Sequence, residues 1–155
     1  MKIAVGADHA GFDLKQKLVD ALQSRGHEVE DFGTHSGDSV DYPDVAEPPA
    51  REVAVGDADL GVIVCGSGVG VAMVANKVNG VRAANAHSPE EAALSRQHND
   101  ANVLTLSGRQ LSEDDALAIL DSFLAAKFEG GRHERRVEKI AEVEAHNAPH
   151  VDQPA

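Results

Sequence analysis

The chain has 155 residues, 42% of them hydrophobic, enough for one domain with a true core. A formal net charge of −12 repels phosphate backbones, and 3% aromatic content offers few stacking platforms, which together argue against a nucleic-acid partner. No apolar run approaches the roughly 20 residues that cross a bilayer, the N-terminus does not read as a signal peptide, and the single cysteine cannot form an internal disulfide; these features predict a cytoplasmic protein with no membrane partner.

The first element is a strand, KIAVGA (2–7), followed by the loop GADHAGF. A helix follows over 12–26: Leu14, Leu18 and Leu22 recur at i, i+4 and i+8, Lys15 and Lys17 point elsewhere, and Gly26 supplies the stop. HEVEDF (27–32) reads as the second strand. The stretch 33–59 begins as a polar loop. Pro48 and Pro49 can open a helix but not sit inside one, which places its start near Glu47. LGVIVC (60–65) is the third strand, and CGSGVGV leads from it into a helix starting near Gly70. After the fourth strand, VRAANA (81–86), Ser88, Pro89 and Glu91 form a capping box at the head of SPEEAALSRQH. VLTLS (103–107) is the fifth strand, and Ser112 repeats the capping device ahead of three acids and an apolar stripe. Beyond Gly130 and Gly131 comes a last helix, RHERRVEKIAEVEAHN. Its narrow apolar face, Val137, Ile140 and Val143, suits docking on a neighbouring subunit. Residues 147–155 are expected to form a disordered tail, leaving a single domain over 1–146. Strands alternating with helices predict βαβ crossovers and a mostly parallel sheet covered on both faces.

In such sheets ligands bind beyond the carboxyl ends of the strands, where strand order reverses. If strands 1 and 3 are neighbours there, Asp8, His9, Cys65 and Ser67 share one crevice. The loop after Cys65 carries G-x-G-x-G at Gly66, Gly68 and Gly70, not the G-x-G-x-x-G of dinucleotide folds, and no acid ends the next strand. It lacks the G-K-[ST] of a P-loop, and Val71 stands where a cysteine phosphatase loop needs arginine. What remains is a run of backbone amides at a helix start, able to hold an anion. If that anion forms during the reaction, the loop is an oxyanion hole. A helix N-terminus favours the thiolate form of a nearby cysteine. A thiolate over a C–H beside a carbonyl is a general base, and the hole stabilises the resulting enediolate. That is aldose–ketose isomerisation, which needs no metal or cofactor.

GADHAGF, DYPD, CGSGVG, ANKVNGVRAA, LSRQHNDANVL and EGGRHERRVEKI, in this order from Met1 to about residue 145, closely resemble the ribose/galactose isomerase family. That family holds the type B ribose-5-phosphate isomerases together with galactose-6-phosphate and allose-6-phosphate isomerases. The resemblance implies a three-layer α/β/α Rossmann-like fold with a five-stranded parallel sheet and an active site shared across a homodimer. It further implies that Cys65 is the base and that Ser67, with the amides from Gly66 through Gly68 to Gly70, is the enediolate hole. By the same resemblance His98 opens the furanose ring together with Asp8, and Asn99 holds substrate hydroxyls with Asp41 and Tyr42 near the sugar. His9, Arg109, Arg132 and Arg136 make the phosphate grip, with His133 close by. One branch of the family uses a glutamate at the position of Val71, so this chain falls in the cysteine branch. Pro48 and Pro49, and NAHSPE (85–90), depart from the family pattern and leave substrate choice open.

Plainer readings compete at several of these positions. A lone cysteine ending a strand is ordinarily core; the glycine loop and the family motif reverse that here. His98 and Asn99 could cap their helix, and Asp8 with His9 could form a turn. The arginines at 132, 135 and 136 could be a solvated face, yet in a chain with 26 acids a compact cluster suggests an anion site. His27, His35, His87, His146 and His150 show no ligand spacing, so no metal is expected. The expected function is interconversion of ribose 5-phosphate and ribulose 5-phosphate, a step of the pentose phosphate pathway. The alternatives are another substrate (allose 6-phosphate, galactose 6-phosphate or a tetrose phosphate) or a non-catalytic phosphate-binding module. Dimer against dimer of dimers stays open.

Overall fold

The computed structural model describes residues 1–147; the expected tail lies, from 148 on, outside them. The elements run β1 (Lys2–Ala7), α1 (Phe12–Ser24), β2 (Glu28–Asp31), α2 (Tyr42–Ala54), β3 (Leu60–Cys65) and α3 (Val69–Asn76). They continue as β4 (Ala83–Asn85), α4 (Pro89–Asn99), β5 (Val103–Ser107), α5 (Glu113–Ala125) and α6 (Arg132–His146). The five strands pair in the order β2-β1-β3-β5-β4, and every pairing is parallel. Strands 1 and 3 are therefore neighbours at the point where the order reverses.

The alternation of side chains along β3 divides the core in two. Leu60, Val62 and Val64 join Leu18 and Leu22 of α1 and Ile119 and Phe123 of α5 on one face. Ile63 and Cys65 face the other way, with Ala46, Ala50 and Val53 of α2 and Val71 and Ala75 of α3. This is the three-layer α/β/α arrangement. Each fully buried Leu or Phe contributes about 1.5–3 kcal/mol. The two serine caps form as expected: Ser88 Oγ accepts the Glu91 amide and Ser112 Oγ the Asp115 amide, each at 3.1 Å. The Glu91 carboxylate reaches back one residue further than a standard capping box, to the His87 amide at 2.8 Å.

Three expectations need correction. The helix placed near Glu47 starts at Tyr42 and carries Pro48 and Pro49 inside it. An interior proline costs about 3 kcal/mol because it removes a hydrogen bond and crowds the carbonyl four residues back. Here the carbonyl left by Pro49 is that of Val45, and it lies against Gly6 of β1, where any Cβ would collide with it. The glycine makes room for the displaced carbonyl, and burial of Val45, Ala46, Pro49, Ala50 and Val53 offsets the lost bond. The fourth strand is shorter than expected, three residues instead of six, because it pairs only with β5 at the sheet edge. Lys15 does not point away from the core. It is 1% exposed, next to the leucine stripe, because acceptors at the end of β2 and just past it receive its ammonium.

Candidate active site

Beyond Ala7 and Cys65 the chain leaves β1 and β3 side by side, since Ala7 is in register with Val64. The crevice between them, about 320 Å³, is lined by Asp8, Tyr42, Cys65, Gly66, Ser67, Gly70, Arg109 and Gln110. Asp8 is buried, and one carboxylate oxygen accepts the amides of Ala10 and Gly11 at 3.0 and 3.1 Å, which fixes the turn into α1. Asp8 thus forms the turn and also lines the crevice. His9 stands beside it and accepts the Val40 amide at Nδ1, 3.2 Å away. With Nδ1 accepting, the ring proton sits on Nε2, free to donate.

Cys65 is 5% exposed, and the Gly68 amide donates to its sulfur at 3.2 Å. Gly68 has φ +78, a conformation that a side chain would strain, and a Cβ there would also strike Asn85 Oδ1. Its left-handed backbone turns the chain from the loop into α3. Two hydroxyls on β5 hold the loop from below. Ser107 Oγ donates to the Gly66 carbonyl at 2.6 Å and Thr105 Oγ1 to the Gly68 carbonyl at 2.9 Å. In a trans peptide the N–H opposes the C=O, so turning the Gly66 carbonyl toward β5 turns the Ser67 amide away from β5. The amides of Gly70 and Val71, in the first turn of α3, have no carbonyl behind them. Ser67 Oγ caps the turn by accepting the Val69 amide at 3.2 Å. The loop is thus a concave set of donors beside a sulfur.

Tyr42, the first residue of α2, lays its ring where a side chain on Gly70 would stand, 2.8 Å from the position of such a Cβ. Asp41, one residue earlier, is exposed and makes no side-chain capping bond. The Arg109 guanidinium lies against Gly66.

The remaining predicted residues lie elsewhere. α4 runs from the carboxyl end of β4 back to the amino end of β5, about 16 Å over its 11 residues. His98 and Asn99 therefore sit at the opposite end of the sheet from Cys65. There the His98 ring stacks on His133 of α6, centroids 4.2 Å apart and planes 10° apart. Glu129 Oε1 is 3.6 Å from His98 Nε2. Burial chiefly, then His98 and Arg132, holds the His133 imidazole below its ordinary value, with Glu129 pulling the other way. Donor atoms of His98, Glu129 and His133 lie within 4.8 Å of one another. Stacked, nearly parallel rings keep their in-plane lone pairs in two separate planes that do not converge on one ion, however, and the neighbouring arginines favour an anion over a cation. Arg132 and Arg136 are exposed at i and i+4 of α6. Among the described residues, neither they nor Arg109 form a salt bridge, although acids abound.

Sequence reasoning missed Thr105, Ser107, Gln110 and Glu129. The first two left a signal: hydroxyls at alternate positions of a fully buried strand must bond something on one face.

Residues 3–140 match the model of a family described as Ribose/Galactose Isomerase. The chain is 48% identical over 143 residues to ribose-5-phosphate isomerase B of Escherichia coli, covering 92% of this chain and 96% of that protein. It is 41% identical over 141 residues to a D-erythrulose-4-phosphate isomerase of Pectobacterium atrosepticum, covering 90% and 93%. Among solved structures, ribose-5-phosphate isomerase B of Mycoplasma genitalium with bound ribulose-5-phosphate superposes with a TM-score of 0.91 at 45% identity, covering 94% of this chain and 97% of that one.

Proposed function

The chain belongs to the ribose/galactose isomerase family, and from that premise we propose that it interconverts ribose 5-phosphate and ribulose 5-phosphate with Cys65 as general base. The carrying observation is the sulfur at the crevice floor, under a set of amides that can hold an oxyanion. In the open-chain aldose the Cys65 thiolate takes the proton from C2, and the electron pair moves through C1 to O1. The resulting enediolate lies against the Ser67, Gly70 and Val71 amides. The thiol returns its proton to C1 while the O2 proton passes to O1, so the C2 alcohol is oxidised and the C1 aldehyde reduced within one molecule. No cofactor is required, because no electron leaves the substrate.

Asp8 and His98 open the ring, Asn99, Asp41 and Tyr42 hold hydroxyls, and His9, Arg109, Arg132 and Arg136 hold the phosphate, with His133 beside them. Since α4 separates His98 from Cys65 within one chain, this reading needs two copies in a homodimer, each lending its α4–α6 corner to the other's crevice. Supporting that reading, α6 leaves Ile140 and Val143 exposed beside its arginines. A lone unpaired cysteine and a phosphorylated metabolite as substrate both suit the cytoplasm.

The test is kcat/KM across pentose, tetrose and hexose phosphates. Ribose 5-phosphate should lead by at least about tenfold, the discrimination that one misplaced carbon commands. A lead for D-erythrulose 4-phosphate, the substrate named for the Pectobacterium relative, or for allose 6-phosphate, overturns the substrate assignment.

A further inference from the structure

Lys15 is among the largest fully buried side chains of the described residues, and none of the chemistry above uses it. Its ammonium donates to both Asp31 oxygens at 2.8 Å and to the Thr34 carbonyl at 2.6 Å, filling all three N–H positions. Asp31 Oδ1 also accepts the Gly33 amide at 2.8 Å. These are the residues where the chain leaves β2 and starts toward α2. The Gly33–Thr34 peptide between these contacts is stitched to β1 on both sides: the Ala7 amide donates to the Gly33 carbonyl at 2.7 Å, and the Thr34 amide to the Ala7 carbonyl at 2.6 Å. Ala7 immediately precedes Asp8. Further on, the connection delivers the Val40 amide to His9 and ends at Tyr42, whose ring packs on Gly70.

We propose that Lys15 and Asp31 form a positioning pair that locks the 33–41 connection onto the end of β1 and thereby sets where His9 and Tyr42 stand at the crevice. A buried ammonium is expensive to desolvate, and an apolar pair would stabilise the fold as well or better. What an apolar pair cannot do is bind a carboxylate and a carbonyl at the same time, which fixes the first residues of a connection otherwise short of buried anchors. The inference rests on the site assigned above, in which His9 and Tyr42 touch substrate while the base stands on β3.

The chain has one tyrosine, Tyr42, and no tryptophan, so its intrinsic fluorescence reports this position alone. In Lys15→Met, acrylamide quenching of Tyr42 should rise about twofold, and KM for ribose 5-phosphate about tenfold with kcat within about threefold, because substrate holding loosens while the base stays in place. Leu22→Ala, fully buried at the far end of α1, serves as the control for simple destabilisation. It should leave both quenching and KM unchanged below its melting temperature. Should Lys15→Met not fold, Asp31→Asn keeps the acceptor for Gly33, removes the charge, and carries the same expectation at smaller size. Unaltered Tyr42 quenching in the folded variant, or an equal change in Leu22→Ala, overturns the proposal. Because quenching needs no turnover, the result stands even if another sugar phosphate proves to be the substrate.

Discussion

The crevice beyond β1 and β3 and the histidine corner at the amino end of β5 contrast in what they are made of. The crevice is built mainly from backbone: glycine amides, a helix start and a sulfur held within 3.2 Å of one of those amides. Its carbonyls are tied down by Thr105 and Ser107, so its donors are in place before any ligand arrives. The corner is built from long side chains on two helices, two exposed guanidiniums around a stacked pair of imidazoles. The first can stabilise charge that forms during a reaction; the second can grip charge the substrate already carries. The length of α4 separates them within one chain, and it is the proposed dimer that would bring them together.

Removing Cys65, the proposed base, breaks the contrast most severely. Cys65→Ala should lower kcat by at least about a thousandfold while equilibrium binding of ribose 5-phosphate persists. Unchanged turnover would remove Cys65 from its role, and absence of turnover in both proteins would favour a phosphate-binding module instead. Next in size is a mixing experiment that tests whether the halves belong to different chains. Cys65→Ala and His98→Asn, each inactive alone, should regain about a quarter of wild-type activity after equimolar unfolding and refolding together, the share of intact sites in a random mixture of dimers. No recovery would mean that the halves never meet across subunits.

The smallest effect concerns His133. Its imidazole should titrate in NMR spectra below the ordinary 6.5, because burial and its cationic neighbours oppose the charged form. Between the two values the unfolded chain binds more protons than the folded one. The associated stability is therefore present above about pH 6.5 and lost as pH falls through that window. Glu129→Gln should lower the midpoint further, since Glu129 is the neighbour that raises it. A midpoint at or above 6.5 would show the corner to be more open to water than its packing indicates.

Most of the architecture is legible in the sequence. Leu14, Leu18 and Leu22 marked the buried face of α1, and Ser88 and Ser112 marked two helix starts, because periodicity and capping act within a few residues. The errors share one cause. Pro48 and Pro49 follow a local rule that a distant glycine suspends, and helical spacing turns Lys15 away from the leucine stripe because its acceptors lie 16 and 19 residues away, beyond the reach of that pattern. Within the site, Cys65 and the glycine loop stood out because turn chemistry and sulfur chemistry meet in one short stretch. Thr105 and Ser107 stayed hidden because their partners come from another strand.

By itself, then, the sequence determined the order of strands and helices, the glycine spacing of the anion loop and the residue types that chemistry requires, all of which rest on interactions between near neighbours in the chain. Only the tertiary structure decided which of those residues share a crevice. Parallel strands return the chain to the same end of the sheet after each helix, which unites Asp8 with Cys65. The single helix α4 carries His98 to the other end.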